Sequence, residues 1–226
     1  MGGRVGLLAL CLGILPVSGC GGGSGNTSNT AQLRVLETAV GAPPVNILVD
    51  SKIVASNLDY GGATVYLTVQ SGSRHVQAAP VAGGTPIFDQ TLSISSSAHQ
   101  TLVLTGTSSG VQSVVLTDGG TTATSGDGHV RVFNASNTIG ASDAYIVNAG
   151  TSLVGVQPVT ANLAFGTDTG YQLVPAGNYQ VFLTIPGTTN VNLATGPLNI
   201  TASANQTVVA FDAISGGFTY VLFTDQ

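Results

Sequence analysis

Tryptophan is absent, glutamate occurs once as Glu37, and only 7% of the 226 residues carry charge. Each scarcity closes a route. A lone glutamate removes most of the scope for the paired-carboxylate chemistry of glycoside hydrolysis. The absence of tryptophan removes the flattest platform on which a sugar ring stacks, leaving six tyrosines. Five Lys and Arg stand against ten Asp and Glu with no basic cluster, which argues against nucleic acid, whose phosphates need neutralising. The two cysteines, Cys11 and Cys20, both precede residue 21, so the remainder has no thiol and no disulfide and must be held by burial. With 43% hydrophobic residues and little charge the chain is not of the disordered class. No window beyond Leu33 sustains helical spacing of apolar residues.

What is present begins with Arg4 and an apolar run from Val5 to Val17, too short to span a bilayer as a helix but the length of a signal-peptide core. It ends in Val17-Ser18-Gly19-Cys20, a branched aliphatic residue, two small residues and a cysteine, followed at once by Gly and Ser. These residues resemble bacterial lipoprotein signal peptides. The resemblance implies that Val17, Ser18 and Gly19 are read by the signal peptidase. Cys20 then takes a diacylglyceryl thioether, and its new amino group is acylated after cleavage. An ordinary secretory leader is the simpler alternative. Residues 1–19 are therefore expected to be leader, and 20–32 a lipidated cysteine with a flexible tether. The twelve tether residues after Cys20 reach about 20 Å. Two or more acyl chains, each buried methylene contributing about 0.8 kcal/mol, would hold the protein on a membrane. Gly21 stands where Asp would signal inner-membrane retention, which implies an outer-membrane destination if the source is Gram-negative. Without Arg4, four basic side chains face ten acidic ones, a formal net charge of −6.

From Leu33 onward short β-rich runs recur: Leu33–Leu36, Val45–Val49, Thr64–Val69, His75–Ala79, Leu92–Ile94, Thr101–Leu104 and Val111–Leu116. Turn signals such as Ala42-Pro43-Pro44 and Ala82-Gly83-Gly84 separate them, the pattern of a sandwich or barrel. The second half then repeats the first. Arg34-Val35 matches Arg131-Val132, Tyr66 matches Tyr171, Ala98–Thr101 matches Ala204–Thr207, and Thr117-Asp118 matches Thr224-Asp225. The offset grows mostly after Asp50 and Asn148, as expected where loops vary and strands do not. The spacing predicts two homologous domains, 33–119 and 130–226, joined by a polar linker over 120–129. The fold class is all-β, two tandem immunoglobulin-like antiparallel β-sandwich domains.

Both units resemble the bacterial domain of unknown function 4397. The motifs are Arg131-Val132, Asp143–Val147, Leu163-Ala164-Phe165-Gly166, Pro175-Ala176-Gly177-Asn178-Tyr179 and Thr207-Val208-Val209. The first unit keeps Arg34-Val35, Val45–Asp50 and Tyr60-Gly61 but carries Arg74 where the second has Tyr179. A histidine that often follows the first strand in that family is missing from both units. These are turn and strand residues, so the resemblance implies a fold and an exported setting.

Catalytic and metal-binding patterns are missing. There is no Gly-x-Ser-x-Gly elbow for a nucleophile, no His-x-x-x-His, no cysteine pair and no calcium loop. His75, His99 and His129 read as surface or strand-end residues, and Asp118-Gly119 and Asp127-Gly128 as turns. No catalytic residue, cofactor or metal ligand is assigned. The expected function is a non-catalytic binding or structural module of the cell envelope, lipid-anchored at Cys20, with an envelope protein or polysaccharide as partner. A glycan-binding adhesin and a hydrolase with an interdomain site are the alternatives. Oligomeric state is not specified by the sequence.

Overall fold

The computed structural model describes residues 1–2, 29–122 and 125–226. Val17, Ser18, Gly19 and Cys20, with the other leader and tether residues between 3 and 28, lie outside the described residues; of the tether expected to reach residue 32, Thr30 to Gln32 are already strand.

Every named element among the described residues is a strand. The first half contains β1 (Thr30–Glu37), β2 (Val45–Val49), β3 (Lys52–Leu58), β4 (Leu67–Gln70), β5 (Gly72–Pro80), β6 (Phe88–Ile94), β7 (His99–Thr107) and β8 (Gly110–Asp118). The second half contains β9 (Asp127–Asn134), β10 (Ser142–Asn148), β11 (Thr160–Leu163), β12 (Gln172–Pro175), β13 (Gly177–Thr184), β14 (Val191–Ala194), β15 (Leu198–Ile200), β16 (Asn205–Asp212) and β17 (Phe218–Asp225). Each half is a sandwich of two sheets. The orders are β4-β1-β7-β8 with β3-β2-β5-β6, and β12-β9-β16-β17 with β11-β10-β13-β14, where β15 also pairs β13. All pairings are antiparallel except β1 with β7 and β9 with β16. The two-layer all-β architecture is thus the expected one. The strand order departs from an immunoglobulin-like sandwich, where the first two strands are neighbours in one sheet. Here β1 lies between β4 and β7, and β2 starts the opposite sheet.

The halves differ where the sequence offset grows. Asp50 and Ser51 alone join β2 to β3, both with positive φ (50° and 66°), a type I′ hairpin turn. Residues 149–159 make the same connection between β10 and β11. The continuous edge strand β6 corresponds to β14 and β15, interrupted at Thr195-Gly196-Pro197, where Thr195 Oγ1 accepts the Val181 N–H at 2.9 Å. At Val174–Gly177 the chain turns a corner of one residue. Strand β12 runs to Pro175 and β13 resumes at Gly177 in the other sheet, while Ala176 N donates to Gly126 O at 2.8 Å. Ser71 makes the same corner between β4 and β5.

Strands β1, β7, β9 and β16 are buried along almost their whole length. Leu33, Val35, Leu102 and Leu104 face the core of the first sandwich, and Val130, Val132, Val208 and Ala210 that of the second. The alternate residues Leu36, Val103, Leu116, Phe133, Val209 and Phe211 form a third core, contributed by both halves. The inner strands of the sheets bearing β1 and β9 are therefore buried on both faces.

Candidate functional site

The third core has a polar centre. Arg34 and Arg131 project from the outward faces of β1 and β9, one position before Val35 and Val132, which turn inward. Asp118 and Asp225 close β8 and β17. Arg34 Nη2 donates to Asp225 Oδ1 of the other half at 2.6 Å, and Arg131 Nη2 donates to Asp118 Oδ1 at 2.6 Å. Arg34 also approaches Asp118 Oδ2 at 3.5 Å. The flanking bonds repeat. Arg34 Nε donates to Thr101 Oγ1 (2.9 Å) and Arg131 Nε to Thr207 Oγ1 (3.0 Å). Thr101 and Tyr66 hydroxyls donate to Asp118, and Thr207 and Tyr171 hydroxyls to Asp225. Each guanidinium stacks on a tyrosine, Tyr66 at 4.7 Å and Tyr171 at 4.6 Å, and Arg34 also covers Phe223 at 4.1 Å. Burial raises the Tyr171 hydroxyl to about 12 and drives Tyr66 upward too, with the Asp118 charge adding to the latter.

This cluster corrects the reading of Asp118 as a turn residue: it is a buried strand end and a hydrogen-bond hub. The sequence comparison matched all four residue pairs without linking them. The signal was there, because recurring charge is conspicuous in so uncharged a chain. Further joint contacts include Tyr60 Oη to Asp212 O (2.5 Å), Thr105 Oγ1 to Ala135 O (2.6 Å), Arg131 Nη1 to Thr117 O (2.9 Å) and Gly119 N to Tyr171 Oη (3.1 Å).

The histidines are dispersed. His75 meets Asp89 at 2.5 Å on an exposed face, and the same carboxylate accepts from Gln77. His99 packs edge-on against Tyr66. His129, expected in a linker, lies in β9, which opens at Asp127; it is 5% exposed and edge-on to Tyr171. A hollow of about 420 Å³ on the seam between halves is lined by Tyr60, Gly61, Phe211, Ala213, Ile214, Ser215 and Thr219, with no histidine or carboxylate. Among the described residues no three His, Cys, Asp or Glu side chains group to hold a metal ion. All six tyrosines are buried or half-buried.

A larger hollow, about 710 Å³, lies on the outer face of the sheet containing β10 and β13. It is lined by Asp143 and Tyr145 on β10, Ala161 and Asn162 on β11, and two walls, residues 153 with 155–158 and residues 187–190.

Fold and joint together define a tandem β-sandwich protein whose two units are locked by exchanged ion pairs. The chain belongs to the family described as domain of unknown function 4397, matched twice, over residues 31–145 and 140–226. No curated protein matches the chain. Among solved structures it is similar to one described as α-glucan binding by a streptococcal virulence factor (11% identity, TM-score 0.28, 83% of this chain and 95% of that one). It is also similar to a CBM26 module of Eubacterium rectale Amy13K in complex with maltoheptaose (12% identity, TM-score 0.27, 86% and 96%). At these TM-scores neither likeness bears on function.

Proposed function

We propose that the protein is a cell-envelope lipoprotein, anchored through Cys20, that presents two β-sandwiches as one non-catalytic binding unit. One observation carries the binding-module part. The recurring polar side chains, Arg34, Tyr66, Thr101 and Asp118 with Arg131, Tyr171, Thr207 and Asp225, bond to one another inside the joint. What recurs thus serves cohesion, and what is left to vary is loop and outer face, where binding residues sit on a rigid scaffold. The anchor is carried by Val17-Ser18-Gly19-Cys20 and the Gly/Ser stretch behind it.

The test is intact mass with metabolic palmitate labelling of wild type and Cys20→Ala. A mature chain starting at Cys20 with added acyl mass, lost in the variant, is the expected result. A chain starting elsewhere without lipid would make this a freely secreted protein.

A glycan-binding surface is the second reading. The tyrosines do not supply its platform, since Tyr145 and Tyr179 are buried, Tyr60, Tyr66 and Tyr171 belong to the joint, and Tyr220 packs against the second core. The hollow over β10 and β13 is the feature that favours it.

A further inference from the structure

The two halves serve as each other's control. In the first, Asp50-Ser51 turns the chain directly from β2 to β3. In the second, residues 149–159 fold back over the outer face of the sheet. Leu153 and Val156 pack there on Tyr145 and Phe182, giving the insertion a small core of its own. It is pinned by Ala149 N to Asn178 O (2.9 Å), Val156 N to Leu153 O (3.0 Å) and Val159 N to Ala144 O (2.8 Å). The facing wall, the β13–β14 turn, is closed by Ile185 N to Asn190 O and Thr188 N to Ile185 O, both 3.0 Å. Both walls are therefore fixed by bonds within the chain, so a ligand need not order them. A volume of about 710 Å³ is in the range of small-molecule sites.

The lining decides the ligand class. Its one carboxylate, Asp143, is 4% exposed and already engaged: Oδ1 accepts the Asn162 N–H at 2.9 Å and Oδ2 the Gly187 N–H at 2.7 Å. That charge ties the β11 bulge and the β13–β14 turn together. Around the opening stand the neutral side chains of Gln157, Asn162, Thr189 and Asn190, all exposed, beside apolar Leu153, Val156 and Pro158. An anionic ligand finds no counter-charge there. Of the two strands that line the hollow, β10 is paired on both sides, while β11, which carries Ala161 and Asn162, is the edge of the sheet, so a peptide comparator tests strand addition there.

We propose that this hollow binds a neutral saccharide, whose hydroxyls pair with the amide and hydroxyl rim and whose C–H faces lie on the apolar wall. The proposal rests on the binding-module reading and names the site for it.

The test uses chain 20–226 with Cys20→Ser. Saturation-transfer NMR and calorimetry are run with maltohexaose, cellohexaose and chitohexaose. Hexagalacturonate and the peptide Gly-Asn-Gln-Ser-Gly serve as comparators. At least one neutral hexasaccharide is expected to bind, and Thr189→Arg, at an exposed position of the rim, weakens it at least tenfold. Val65→Arg, at a 79% exposed site in the first half, leaves affinity unchanged. Both variants keep the wild-type melting temperature, which separates blockage from unfolding. The proposal is overturned if none of the three neutral sugars binds, if hexagalacturonate or the peptide binds more tightly, or if Thr189→Arg has no effect. Release of new reducing ends in the same samples would instead sink the non-catalytic reading while leaving the site in place.

Discussion

Glu37, the only glutamate, is fully buried at the end of β1. Its Oε1 accepts the Ala39 N–H at 2.7 Å, while Oε2 has no partner. The matched residue in the second half is Asn134, whose Oδ1 accepts the Ser136 N–H in the same way and whose amide also donates to Gly140 O and Leu163 O. A carboxyl thus stands where an uncharged amide suffices, and burial raises it from 4.5 to about 7. The sign follows from linkage. Below about pH 4.5 both folded and unfolded states hold the proton and Glu37 contributes nothing. Between 4.5 and 7 the unfolded chain loses its proton while the folded one keeps it, so stability falls, then levels off above 7. Glu37→Gln removes that loss. Thermal melts should show the variant matching wild type near pH 4 and exceeding it at pH 8, by on the order of 3 kcal/mol. Equal differences at both pH values would refute the assignment. The orphan oxygen could not be read from the sequence, because the burial of Glu37 depends on what packs over the end of β1.

At the scale of elements, strands that carry a mostly buried apolar run were the legible ones. Val45–Val49 matches β2, and β7 extends the expected Thr101–Leu104 at both ends. The edge strand β3 escaped notice because Lys52–Leu58 is mostly solvent-facing and lacks strict alternation. The Thr64–Val69 run becomes strand only at Leu67, and Val65 is exposed. The hollow was illegible too, since an insertion shows in sequence as a longer offset, without the surface it covers. The β2–β3 turn offers a test of its own. Ser51 holds φ 66°, a conformation that is strained for residues with a Cβ and free for glycine. Ser51→Gly makes the favoured Asp-Gly pair and should stabilise by about 0.5–1 kcal/mol, a rise of roughly 2 °C in melting temperature. A lower melting temperature would show that the Ser51 side chain matters more than its backbone.

At the scale of the molecule, four sheets are stacked with three cores between them, the middle one shared. The joint holds two guanidinium groups and two carboxylates with side chains at most 5% exposed. Salt screens such buried pairs far less than exposed ones. A protease site inserted after Thr122, then cut, should therefore leave the halves together. Native mass spectrometry should show one species of both fragments, and size exclusion in 1 M salt one peak. Two separate fragments would mean that the covalent connection, rather than the joint, holds the sandwiches in place.

The pairing in that joint is crossed, and crossing has a consequence for how such a protein can change. Arg34 of the first copy neutralises Asp225 of the second, and Arg131 of the second neutralises Asp118 of the first. A replacement in either copy strands a charge in its twin, where stranding costs about 3–5 kcal/mol. The two copies are free to diverge in their loops, as residues 149–159 have done, but at the joint they inherit as a pair.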